Sequence, residues 1–217
     1  MKLYYYALLF AVLFLGACNN SGKNKIDAAE AQDALSGAGK TLVVDSLQSE
    51  VMWKGFKPGG SHVGTLAIQS GTLVVDSSTI KEGHFVFDLN KIVNLDLTDE
   101  SMNKMLVDHL KSADFFDVAK FPVGEFVVTK TEPIVNDTVN YLISGNLKLK
   151  DVTKNITFGA KVTKEGNLYK AKTQVFTIDR TQWGVNYGSK NVFADLKDKF
   201  INDDIELQVT IIAKVAE

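Results

Sequence analysis

The three histidines, His62, His84 and His109, are the side chains of this chain best placed to gain or lose a proton near neutral pH. With Glu82 or Asp108 they could offer nitrogen and oxygen ligands to a metal. Their separation and the lack of a compact ligand motif argue against that use. His62 falls at an early strand turn, His84 at a strand boundary and His109 in a helical stretch, where each could make an ordinary hydrogen bond. Acyl transfer would need an activated nucleophile and a place for developing negative charge. The serines include no Gly-x-Ser-x-Gly elbow, and neither a P-loop nor a dinucleotide-binding glycine fingerprint occurs. Asp179-Arg180 offers either a local ion pair or a planar fork for an anionic head group. The chemistry-bearing residues thus favour reversible binding over turnover, with no catalytic set, metal or cofactor.

The one cysteine, Cys18, follows a distinctive leader, MKLYYYALLFAVLFLGAC. Lys2 gives a positive start, residues 3–15 an apolar stretch, and Gly16-Ala17 a small-residue ending, the layout of a secretory signal. The apolar stretch is too short for a permanent membrane span. The ending Leu15-Gly16-Ala17-Cys18 resembles the bacterial lipobox, which implies cleavage before Cys18 and lipidation of its thiol. The alternative is an ordinary secretory signal with an incidental cysteine. A lipidated Cys18 accounts for a thiol that would otherwise be a liability in an oxidising compartment. It places the protein in the bacterial cell envelope, with the membrane as partner. The absence of Asp after Cys18 resembles outer-membrane sorting where two membranes exist.

The 217 residues carry 24 Lys and Arg against 26 Asp and Glu, a formal charge of −2, which gives no support to a nucleic-acid function or a polybasic membrane-binding face. The expected division is a signal peptide at 1–17, a lipidated N-terminus and flexible tether at 18–40, and one domain at 41–217. Small and polar residues dominate 19–40. From there short β-runs alternate with turns: 41–45, 51–56, 64–69, 72–76, 83–89, 123–130, 140–150, 155–163, 168–178 and a final run from 205. Ser70-Gly71 reads as a hairpin turn. Residues 98–110 break the rhythm as a helix, with Thr98 as N-cap and Met102, Met105, Leu106, His109 and Leu110 as its stripe. Many short strands and one helix predict an all-β antiparallel barrel or sandwich.

Large apolar side chains recur along these runs. Trp53, Phe85, Phe87, Phe115, Phe116, Phe126, Phe158, Phe176, Trp183 and Phe193 could line an apolar interior, with Arg180 near a polar head group. A filled core is the competing use of each. Trp53 and Trp183 combine the largest apolar surfaces with an N–H.

Trp53-Lys54-Gly55, Ser61-His62-Val63-Gly64-Thr65, the run Asp108 to Val118, Gly145 to Lys154 and Phe176 to Val185 together resemble the YceI-like lipid-binding family over residues 41–217. The resemblance implies an extended, lipocalin-like antiparallel barrel with a helical insertion. It further implies a non-covalently held polyisoprenoid or related long-chain amphiphile inside. The function expected is therefore non-catalytic binding, carriage or sequestration of such a lipid. A lipid-modifying enzyme and a filled-core structural or protein-interaction lipoprotein are the alternatives.

Overall fold

The computed structural model describes residues 24–77 and 79–216; Cys18 and the leader lie outside the described residues. The runs rich in β-branched and aromatic residues become ten strands. These are β1 (Lys40–Val44), β2 (Glu50–Lys57), β3 (Gly60–Asp76), β4 (Thr79–Asn94), β5 (Val123–Pro133), β6 (Tyr141–Leu149), β7 (Val152–Glu165), β8 (Leu168–Thr173), β9 (Phe176–Asp179) and β10 (Asp204–Val215). The helix α1 (Glu100–Lys111) interrupts them between β4 and β5. Period-two alternation sets which face is buried: in β6, Tyr141, Ile143, Gly145, Leu147 and Leu149 are buried while the residues between them are half-buried or exposed.

The strands form one antiparallel sheet along the path β1-β10-β2-β3-β4-β5-β6-β7-β8, with β9 attached to β10. β10 is its hub. One edge pairs β2 at residues 205–210 and β1 at 213–215; the other pairs β9 at 204–207 and β8 at 210–214. β1 and β2 both reach β3 as well, so they lie end to end between β3 and β10. β8 and β9 lie end to end along the opposite edge, but only β8 pairs β7.

This corrects the expected lipocalin-like barrel. Residues 168–178 read as one strand, yet the chain breaks that run at Gln174-Val175, and the Gln174 N–H to Gly159 carbonyl bond, 3.0 Å, ends its pairing with β7. Beyond it, β9 turns all its ladder bonds to β10, and β7 from 152 to 158 has no strand partner on that edge among the described residues. The fold is an extended antiparallel sheet with one helical insertion, joined through β8 at one level and split between β7 and β9 at the other, so it does not close into a barrel.

Residues 24–39, in the segment expected as a tether, cross this split and run over the neighbouring strands. Lys25 bridges Thr177 of β9 and Ala29 bridges Asn155 of β7. Gln32 exchanges two hydrogen bonds with the Asn146 side chain of β6, and the Leu35 N–H donates to the Val128 carbonyl of β5.

Ser70-Gly71 makes no turn. β3 runs straight through it, with register shifts at Thr65/Ala67 and Ile68/Ser70 that bend it as bulges do. Gly71 serves close approach instead: a Cβ there would stand 2.8 Å from Val44 Cγ2 and 2.9 Å from Phe85 Cδ1.

In α1 the cap is Asp99, one residue after the expected Thr98; its carboxylate accepts the Met102 N–H at 2.9 Å. The Asn103 side-chain amide donates to the Asn94 and Leu97 carbonyls and ties the helix to the end of β4. Asp99→Ala, by removing the cap, is expected to destabilise α1 by about 1 kcal/mol. Faster amide hydrogen exchange confined to 100–111 would report it.

Candidate functional site

Inward-facing side chains from the sheet and α1 enclose an apolar cavity of about 390 Å³. Its middle is belted by aromatic rings. Phe85 and Phe126 are register partners on β4 and β5, and Trp53, Leu207 and Phe176 follow one another across β2, β10 and β9. Ring centroids are 6.4 Å apart for Phe85–Phe126, 5.4 Å for Phe126–Phe158 and 4.9 Å for Phe158–Phe176, the last pair stacked within 8° of parallel.

Glycines let two of these rings lie back against the wall. A Cβ on Gly145 would sit 2.2 Å from Phe126 Cζ, and one on Gly64 would sit 2.4 Å from Trp53 Cζ2. Each ring occupies the space a neighbour's side chain would fill, so the sheet carries large aromatics and still keeps a void.

The sequence candidates divide by position. Trp53, Phe85, Phe87, Phe115, Phe116, Phe126, Phe158, Phe176 and Arg180 line the cavity. Trp183 is not among the lining residues: it is fully buried, with its indole N–H donating to the Leu147 carbonyl at 2.9 Å. Phe193 is exposed and also lies away from the lining. Arg180 touches the cavity but its donors are taken. Nε donates to the Asn202 carbonyl at 3.1 Å, Nη1 to the Val185 carbonyl at 2.5 Å, and Nη2 to the Ile201 carbonyl at 3.2 Å, with Asp203 at 3.5 Å. Burial pushes its pKa down, against the pull of Asp203 and Asp179, and the guanidinium remains a cation. It pins residues 185–203 to the sheet and lies 5.6 Å from the Phe115 ring centroid.

The expected stripe of α1 holds in part, since Met102 and Met105 are exposed, while the share of the aliphatic residues in this lining was missed. Leu106, His109 and Leu110 of α1 face the cavity, as do Leu73, Val128 and Ile143. The clean alternation of β6 was the signal for Ile143, and the helical spacing was the signal for Leu106, His109 and Leu110. His109 stands edge-on to Phe115 at 5.1 Å and to Tyr187 at 4.6 Å, forming an aromatic rim. The three histidines stay apart. His84 points outward to Glu125 at 3.2 Å, and His62 bonds Asp96 at 2.9 Å. Among the described residues no group of three or more His, Cys, Asp or Glu could hold a metal.

Asp96 braces the β3–β4 end beside His62, itself a lining residue. Burial alone would raise its pKa, but the Val63 N–H, His62 and the Asn94 amide together lower it to about 2.

The arrangement is an antiparallel sheet wrapped on an apolar hollow, with a short helix at its side. The family model for the YceI-like domain matches residues 42–213, and the chain belongs to that family. The UPF0312 protein YE1254 of Yersinia enterocolitica is 32% identical over 94 residues, 40% of this chain and 47% of that protein. This match thus spans about half of the curated relative's length. The crystal structure of BcnA from Burkholderia cenocepacia shares the fold with TM-score 0.62 at 20% identity, covering 79% of this chain and 99% of that one. A polyisoprenoid binding domain from Saccharophagus degradans does so with TM-score 0.58 at 14% identity, covering 81% and 98%.

Two outcomes are expected. Trp183→Ala should cost about 3–5 kcal/mol in urea unfolding, with apolar-probe affinity retained at low denaturant, because Trp183 packs outside the lining. For Asp96 the folded pKa lies below the unfolded one, so its contribution is fully present above about pH 4 and is lost as pH falls through about 2. Asp96→Asn should flatten that acid limb of a thermal-stability profile.

Proposed function

We propose that this protein binds a long-chain, isoprenoid-like amphiphile reversibly in its cavity, and sequesters or carries it without chemical turnover. The observation that carries this is the lining itself. Apolar side chains on the inner face of the sheet surround a space within the roughly 300–1,000 Å³ usual for small-molecule sites, while its polar groups are few, with His62 and Arg180 engaged by other protein groups. Each methylene taken out of water favours binding by about 0.8 kcal/mol, offset in part by the lost freedom of a flexible tail. The name of the Saccharophagus relative supports the same ligand class.

The ligand candidates named from the sequence keep this role where they line the cavity, with Trp53, Phe126, Phe158 and Phe176 as the central contacts. The leader adds the second half of the reading: Cys18 carries the lipid anchor after removal of 1–17, and the domain from 41 works beside a bilayer in the cell envelope. In a cell with two membranes this is the outer one. Among the described residues no helix is long and apolar enough to cross a membrane, so attachment in this reading rests on the acyl groups.

Detergent-free purification followed by native mass spectrometry and lipid extraction tests the ligand. One long-chain amphiphile per chain is expected, and a protein that is always empty and takes up no lipid would overturn the proposal. Gly145→Ala should drive the Phe126 ring into the hollow. A cost of about 1–3 kcal/mol for such overpacking makes ligand affinity fall roughly tenfold while the fold survives. Cys18→Ser should move the protein from the membrane to the soluble fraction; unchanged fractionation would reject Cys18 as the anchor.

A further inference from the structure

At the split between β7 and β9 the cavity wall lacks a strand ladder among the described residues. Phe158 of β7 and Phe176 of β9 stack across it, and both line the cavity. Among the described residues no strand ladder joins β7 to β9, and residues 24–29 bond to both. Ile26 N–H donates to the Thr177 carbonyl at 2.9 Å, and Ala29 exchanges two bonds with Asn155 at 2.8 and 2.9 Å. Ile26 and Ala28 pack on the apolar core beneath. Two ion pairs flank these bonds, Lys25–Asp204 and Glu30–Lys154, both at 2.6 Å. The segment precedes residue 42, where the YceI-like match begins.

We propose that this split is a side entrance to the cavity and that residues 24–37 are the strap that shuts it. The inference rests on the ligand-binding reading above. Between paired strands, ligand passage through the sheet would break a ladder of many bonds. Here the bonds across are two isolated bridges, flanked by two partly exposed ion pairs and one stacked ring pair, and the exposed ion pairs release at low cost. The strap also decides where the entrance sits. With residues 24–39 docked, only 18–23 remain between the proposed anchor and the split, a reach of about 20 Å at full extension. The strap therefore holds the entrance close to the bilayer, from which an apolar ligand could pass sideways.

The test uses the processed chain from residue 18 carrying Cys18→Ser, with N-phenyl-1-naphthylamine as a neutral apolar probe followed by stopped-flow fluorescence. Glu30→Lys sets like charges against Lys154 and should loosen the strap, seen as faster amide exchange at 25–37. Probe association and dissociation should both accelerate several-fold while the equilibrium affinity changes little. The swap Glu30→Lys/Lys154→Glu should return both rates to their original values. Ile26→Asp, which sets a charge against the apolar core, is a second way to free the strap where the ion pair alone is too weak to hold it. A freed strap with unchanged probe rates would overturn the proposal, as would lost affinity with an unchanged association rate, the mark of a mere piece of wall. Failure of the original chain to bind the probe at all would instead strike the ligand reading.

Discussion

Backbone groups at a sheet edge must find partners, and here a single strand supplies them for four others. β10 is long enough to serve β2 and β1 in sequence along one edge and β9 and β8 along the other. Its two edges bring the beginning and the end of the sheet together, and this turns one face of every strand toward a common interior. Without β10 the four-residue strand β9 would have no strand partner among the described residues, and the five-residue β1 would keep only β3. The same arrangement creates the weakness. Because β8 and β9 share one lane and only β8 reaches β7, the sheet is complete at one level and parted at the other.

The interior is apolar for the usual reason, yet it is not filled. A core of large side chains normally interdigitates until no void remains. In this protein two of the rings are received by glycines on the neighbouring strand, Phe126 by Gly145 and Trp53 by Gly64. The rings therefore cover backbone, and the space in front of them stays free. Trp183 shows the contrasting use of the same residue type. It sits behind the wall with its N–H satisfied, and it braces the chain leaving β9. Arg180 does similar work with four carbonyl and carboxylate partners. The two residues make the 180–203 connection part of the frame.

The sequence made the strands and the helix legible because alternation and the acidic helix start are local signals. Its family blocks also pointed to the right family. It failed where the deciding partner is distant. Ser70-Gly71 has the composition of a turn, but Gly71 is there to let Val44 and Phe85 approach. Residues 168–178 read as one strand, and only the competition between β7 and β10 for their backbone shows why they divide. Residues 24–39 lack any periodic apolar stripe, so their polar look suggested a tether. Asn146, Asn155 and Glu82, far along the chain, supply the partners that hold them.

By itself, then, the sequence determined the type of each main element, the faces on which its apolar residues lie, and the family. Those follow from backbone periodicity and short motifs, which need no knowledge of neighbours. The tertiary structure alone decided that the strands form a split sheet, which tryptophan faces the hollow, and what Arg180 bonds to. It also placed the N-terminal segment over the split. Each of these depends on which distant groups meet, and pairing of that kind is settled only when hydrogen bonds and packing are satisfied together across the whole sheet.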